Sequence, residues 1–218
     1  PKGMIFLGGS VANFQQGFAN ITVPSVLTTL VSDELDFPNL SMVGVDDRAA
    51  AYTAVDYLIR QGHRKIAVLG GPVTSYPSVM RRKGAQQAME DAGILFNDKL
   101  YGLSNYDFES AYHAMNSLLA RRAEFTALFA MSDVIAFGAI RALVSAGFRV
   151  PEDVSVIGFD GITMSRYCVP VMTTIVQPSE QIALQSIELL VRQIEHGSPA
   201  QTVTLQPELQ QGESVRAI

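Results

Sequence analysis

The sequence predicts an α/β protein built from doubly wound parallel sheets. The prediction rests on short runs that are apolar on successive residues, on amphipathic stretches of helix length between them, and on glycines that stop most of those stretches. Residues 4–7, 25–28, 42–45, 65–69, 101–103, 126–131, 154–159 and 173–176 read as strands. Continuous apolar character bounded by Gly, Asp or Pro marks strands covered on both faces. Residues 48–60 place Ala51, Ala54, Val55, Leu58 and Ile59 on one helical stripe and stop at Gly62. Residues 78–92 stop at Gly93, 132–146 at Gly147 and 179–195 at Gly197, while 108–120 is a helix with no glycine stop. Residues 10–21 (SVANFQQGFANI) are polar and aromatic and fit neither pattern; 32–40 is an acidic loop.

Composition narrows the function. The chain has 218 residues, 48% hydrophobic and 17% charged, which is ample for a packed core and excludes wholesale disorder. A formal charge of −5 argues against these residues gripping a phosphate backbone, which needs a basic face. One cysteine, Cys168, excludes an intrachain disulfide and fits a reducing compartment; its simplest reading is a small buried hydrophobe. No apolar stretch reaches the roughly 18–20 residues of a membrane span. The chain opens at Pro1-Lys2-Gly3, without Met and directly before an apolar run, so a trimmed or processed piece of a longer protein is expected.

In open α/β sheets, ligands bind beyond the carboxyl ends of the strands. Those positions hold Gly70-Gly71 through Tyr76 leading towards Arg81, then Ser104-Asn105-Tyr106, Ser132-Asp133, Asp160-Gly161 and Gln177. Two carboxylates, a guanidinium, an amide, hydroxyls and an aromatic suit a polyhydroxylated or heterocyclic small molecule. Each has a plainer reading. Asp133 or Ser132 can cap a helix, Arg81 within Arg81-Arg82-Lys83 can lie on a solvated face, and Asp46-Asp47 reads as a helix opening. Asp160 ends an apolar strand and needs donors from protein or ligand. Enzyme readings find little support. His63, His113 and His196 lack partners at metal-ligand spacing, and no nucleophile elbow, P-loop or C-x-x-C is present. Gly8-Gly9-Ser10 lacks the third glycine of a dinucleotide fingerprint, and His63 reads as a structural donor. No metal or cofactor is expected.

Longer runs add a family resemblance. These are Gly62-His63-Arg64-Lys65-Ile66-Ala67, the R-x-x-G run Arg81-Arg82-Lys83-Gly84, and Ser132-Asp133-Val134-Ile135-Ala136-Phe137-Gly138-Ala139 followed by Arg141-Ala142-Leu143. VPEDVSVIGFD, ending at Asp160, continues to Tyr167, Pro170 and Thr173-Thr174-Ile175. From about Met4 to the C-terminus the chain resembles the effector-binding domain of the LacI/GalR family of bacterial transcription regulators. The resemblance implies a periplasmic-binding-protein-like fold of two α/β lobes joined by three crossovers, with a small-molecule effector, most often a sugar, in the cleft. One lobe is expected to be 1–45 plus 177–205, and the other 46–176 plus 206–218. It implies effector contacts from Arg81 and Asp160, with Tyr106 lining the cleft and Gln177 beside it; Ser132 and Tyr76, from their positions beyond the strands, are further candidate contacts. It also implies a cytoplasmic homodimer formed through the second lobe, and operator DNA bound by a helix-turn-helix that these residues do not include. Three departures stand out. Ser132 occupies the place of a usual ligand-contacting asparagine, and Gly161 that of a second Asp or Asn. The first two β-α units of the first lobe are also lacking, so exposed apolar surface and an unpaired strand edge are expected there. The alternatives are a periplasmic sugar-binding protein of a transport system, which shares the fold, and an α/β enzyme.

Overall fold

A computed structural model describes all 218 residues. The chain divides into two compact units. The first comprises 1–46, 75–77 and 178–207, and the second 47–74, 78–177 and 208–218.

In the first unit a four-stranded parallel sheet runs in the order β1 (Met4–Leu7), β2 (Ser25–Thr28), β3 (Leu40–Val45), β9 (Thr202–Leu205). Alternation along these strands feeds two cores. Val26, Val43 and Val45 face Ile182 and Leu189 of α6 (Ser179–His196). Leu27, Leu40 and Met42 face the opposite side with Phe18 of α1 (Val11–Phe18), where Phe6, Phe14 and Phe37 join the ring contacts. Strand β1 is an edge strand, with Leu7 82% exposed, and α6 carries a second apolar stripe of Leu184, Ile187, Val191 and Ile194 that faces solvent.

The second unit holds a six-stranded sheet. Its order is β10 (Glu208–Gln210), β8 (Thr173–Val176), β7 (Ser155–Asp160), β6 (Ala127–Ala130), β4 (Ile66–Gly70), β5 (Tyr101–Leu103), and only β10 is antiparallel. Strands β4, β6 and β7 are buried on nearly every residue, as their unbroken apolar runs require. Helices α2 (Asp47–Arg60), α3 (Tyr76–Asp91), α4 (Phe108–Ala120) and α5 (Asp133–Ser145) belong to this unit, apart from the first two residues of α3. The R-x-x-G glycine has a packing reason: a β-carbon at Gly84 would stand 2.1 Å from the Arg48 carbonyl oxygen on α2.

The expected helices and strands form with ends shifted by no more than two residues, and the four stop glycines take positive φ. Among the α-helices and strands, three differ from expectation. Residues 11–18 are helical because Ser10 caps the segment and Val11, Phe14 and Phe18 share one face. β9 and β10 are short edge-type pairings that carry no apolar run. Where α4 lacks a glycine, Arg122 itself adopts φ +53. An L side chain there is strained by roughly 1–2 kcal/mol, partly offset by the extra freedom glycine gives the unfolded chain. Arg122→Gly is therefore expected to stabilise the second unit by about 0.5–1 kcal/mol, seen as a higher urea midpoint at unchanged slope.

His63 is a structural donor, as its sequence position implied. It is buried, Nδ1 lies 2.9 Å from the Thr126 hydroxyl and Nε2 3.1 Å from the Arg216 carbonyl. Burial holds its pKa below the usual histidine value, which keeps the ring neutral and assigns the proton on Nε2 to that carbonyl.

Candidate functional site

The second sheet sets the location. From β4 the chain crosses to β5 on one side and returns to β6 on the other, so the carboxyl ends of β4 and β6 form a topological switch point. Arg81 fills this crevice. It projects from the second turn of α3, and its side chain is 7% exposed. Nε donates to Asp47 Oδ1 at 2.7 Å, Nη1 donates to the Met131 carbonyl at the end of β6, and the guanidinium lies 3.7 Å over the Phe159 ring. Nη2 has no hydrogen-bond partner within the chain. Burial opposes the positive charge, but the carboxylates of Asp47 and Asp160 more than offset it, so the Arg81 pKa stands above its ordinary value.

Asp160 ends β7, the next strand along. Its Oδ1 lies 3.7 Å from Arg81 Nη1 and accepts from Gln177 Nε2 at 2.7 Å. Burial pushes its pKa up, and Arg81 and Gln177 pull it back without cancelling the rise. The side chain keeps 28% exposure, so the carboxylate is reachable. Gln177 follows β8, and its backbone N–H donates to the Asp160 carbonyl at 3.0 Å. Asp160 adopts φ +108, and Tyr106, after β5, adopts φ +60. Such conformations cost about 1–3 kcal/mol each in non-glycine residues and concentrate where function holds a side chain in place.

The Tyr106 ring packs against Gly71, where a β-carbon would fall 2.0 Å from a ring atom. Its hydroxyl is buried without a hydrogen-bond partner. A buried phenol in that state is a polar group awaiting one. Asp160, Tyr106 and Gln177 thus stand at the carboxyl edge of the second sheet, and Arg81 reaches the same edge from α3.

Ser132 belongs to the same edge, after β6, and its Oγ caps α5 by accepting from the Ile135 N–H at 3.1 Å. The hydroxyl proton remains available to a second partner. Asp133, for which capping was the plainer reading, does not cap: its carboxylate is fully buried and turned towards β7 and β8. Tyr76, the first residue of α3, packs into the aromatic core of the first unit. Cys168 is half-buried, and burial raises its thiol pKa.

Asp47 is the residue the sequence reading missed. It was read as a helix-opening acid, yet it is 6% exposed and is the partner of the Arg81 guanidinium. The signal was available. Asp47 precedes Ala51, Ala54, Val55 and Leu58 by four, seven, eight and eleven residues, so it lies on the buried stripe of α2. An acid on that stripe requires a buried partner.

Cavities within the units lie away from this cluster. One sits at the opposite, amino-terminal end of β4–β6, rimmed by Arg64, Lys65, Lys99, Arg121 and Arg122. Another is an apolar depression over Phe6, Phe14 and Phe18 in the first unit. Neither assembles buried, convergent polar groups, so the switch-point cluster is the better candidate. Among all residues no group of histidines, cysteines or carboxylates is arranged to hold a metal ion, and no helix is long and apolar enough to cross a membrane.

Parallel sheets with polar groups beyond the strands' carboxyl ends define an α/β ligand-binding fold. Comparison with known proteins makes this specific. The periplasmic binding protein-like domain profile matches residues 55–215. The chain is 36% identical to the HTH-type transcriptional regulator MalR of Clostridium butyricum, over 98% of this chain and 64% of that protein. It is 36% identical to the HTH-type transcriptional repressor CytR of Escherichia coli K12, over 79% of this chain and 50% of that one. The chain thus spans about half to two-thirds of the length of these relatives. Among solved structures it is similar to the transcriptional regulator CelR in complex with cellobiose, with TM-score 0.89, 30% identity, and coverage of 98% of this chain and 65% of that one. It is also similar to a LacI-family sugar-binding transcriptional regulator from Escherichia coli complexed with phosphate, with TM-score 0.83, 29% identity, and coverage of 100% and 78%. The chain belongs to the periplasmic binding protein-like family, in the form carried by LacI-type transcriptional regulators.

Proposed function

We propose that these residues are the effector-binding and dimerisation part of a LacI-type bacterial transcriptional regulator, acting in the cytoplasm without catalysis. The two compact units are its two lobes. The effector is a small polyhydroxylated metabolite, with a sugar the first choice because one similar structure holds cellobiose. It is gripped by Arg81 and Asp160, flanked by Tyr106 and Gln177, with Ser132 as a further contact. Operator DNA is bound by a helix-turn-helix segment outside these residues, so the −5 charge here is no obstacle. Effector binding changes operator affinity because it favours one conformation of the regulator over another; a coupling of about 1–3 kcal/mol suffices. The homodimer forms through the second unit, where Tyr167 and Val169 are 78% and 94% exposed beside Met164.

The observation that carries this reading is the buried Arg81 guanidinium, fixed by Asp47 and Met131 yet retaining an unused Nη2 next to the reachable carboxylate of Asp160. Fixed donors beside a fixed acceptor match vicinal hydroxyls in both directions. The homology to regulators favours this reading over periplasmic transport. In a thermal-shift screen of cellobiose, maltose, other sugars and nucleosides against the full-length protein, a true effector at a hundred times its Kd adds about 2.7 kcal/mol of apparent stability. Arg81→Ala and Asp160→Ala are each expected to abolish that gain. A ligand bound equally well by both variants would refute the site.

A further inference from the structure

Three separate sequence runs meet at one carboxylate that the effector reading leaves unused. Asp133, in the first turn of α5, is fully buried, and α5 does not need it as a cap because Ser132 fills that role. Asp133 Oδ1 accepts the Thr174 hydroxyl of β8 at 2.6 Å. Oδ2 accepts the backbone N–H of Ile162 at 2.8 Å. Space for it is made on β7. A β-carbon at Gly158 would stand 2.2 Å from Asp133 Oδ1, and Gly158 is the register partner of Thr174. The glycine and terminal aspartate of V-I-G-F-D, the threonine of T-T-I and the aspartate after Ser132 therefore form one assembly.

We infer that Asp133 is the positioning residue of Asp160: by holding the Ile162 N–H two residues beyond Asp160, it fixes the positive-φ turn that aims the Asp160 carboxylate at Arg81 and Gln177. The turn is then gripped from both sides. On one side the Gln177 N–H holds the Asp160 carbonyl; on the other Asp133 holds the Ile162 N–H. A residue at φ +108 keeps that conformation only when its surroundings over-determine it. The functional value of the role rests on Asp160 being an effector contact, as proposed above.

The arrangement has a ligand-free signature. Burial raises the Asp133 pKa to about 6, opposed by the bonds from Thr174 and Ile162 and assisted by the Asp160 charge; Cys168 is the other titratable group facing it. NMR on the full-length protein reads both consequences. In wild type the Gly161 and Ile162 amide shifts are expected to titrate together with a midpoint near 6. Asp133→Asn is expected to remove that titration, shift the Asp160 carboxyl titration, and speed amide exchange at 161–162 at least tenfold, with Ile157 unchanged. Thr174→Val, which leaves the carboxylate in place, is expected to speed exchange at 161–162 and shift the Asp160 titration as well. If both variants lower thermal stability yet leave exchange at 161–162 and the Asp160 titration as in wild type, Asp133 supports the fold only and the inference fails. The effector reading is tested separately, by whether Asp160→Ala still binds an effector, so the two can fail independently.

Discussion

Replacing Asp47 by alanine is expected to destabilise the second unit by about 3–5 kcal/mol, the cost of stranding one member of a buried ion pair. Arg81 and Asp47 are 7% and 6% exposed, and Arg81 cannot escape by losing its proton because a guanidinium stays charged in proteins. After the change its nearest carboxylate is Asp160, at 3.7 Å. The loss is a large share of the roughly 5–15 kcal/mol that holds a typical domain. Asp47→Asn should lose less, because an amide oxygen can still accept from Nε at the 2.7 Å position. A second comparison separates stranded charge from general damage: the double variant Asp47→Leu with Arg81→Met should recover most of the loss, since an apolar replacement of both partners is often neutral. Urea denaturation of the singles and the double closes the cycle. A loss below about 1 kcal/mol for Asp47→Ala would mean that Arg81 is held by Met131 and Phe159 alone.

The Asp47 case shows what was legible in this sequence and what was not. Strands β4, β6 and β7 were legible because burial on both faces leaves an unbroken apolar run, and the helices ending at Gly62, Gly93, Gly147 and Gly197 because their stops are local. Arg81 and Asp160 were legible as members of recognisable runs. Asp47 was not, because two adjacent acids at a helix start look alike whether the second meets water or a guanidinium 34 positions away. Asp133 failed for the same reason: which residue of a Ser-Asp pair caps the helix depends on what β7 and β8 offer, and they offer the Thr174 hydroxyl and the Gly158 gap. β10 is defined by its antiparallel partner β8, so it too leaves no local trace. Asp47, Asp133 and β10 share one cause: the partner that defines each lies far along the chain.

The same substitution at two helical glycines is expected to have opposite signs. Gly84→Ala places a methyl 2.1 Å from the Arg48 carbonyl oxygen and within about 3 Å of the Tyr52 N, so the neighbour is backbone and cannot rotate away. Helices α2 and α3 must separate. That shift bears on the Asp47–Arg81 pair, because one partner sits on each helix. Overpacking of this kind costs about 1–3 kcal/mol, and the upper end is expected because the move also lengthens a 2.7 Å charged hydrogen bond. Gly17→Ala, inside α1, meets nothing within 4 Å and keeps an ordinary φ. There alanine has only its higher helix propensity to express, worth up to about 1 kcal/mol of added stability. Denaturation of both variants beside wild type decides the matter. Destabilisation by Gly17→Ala would show that α1 depends on the freedom of that glycine, and a neutral Gly84→Ala would show that the α2–α3 contact yields, so that the glycine of R-x-x-G is not there for packing.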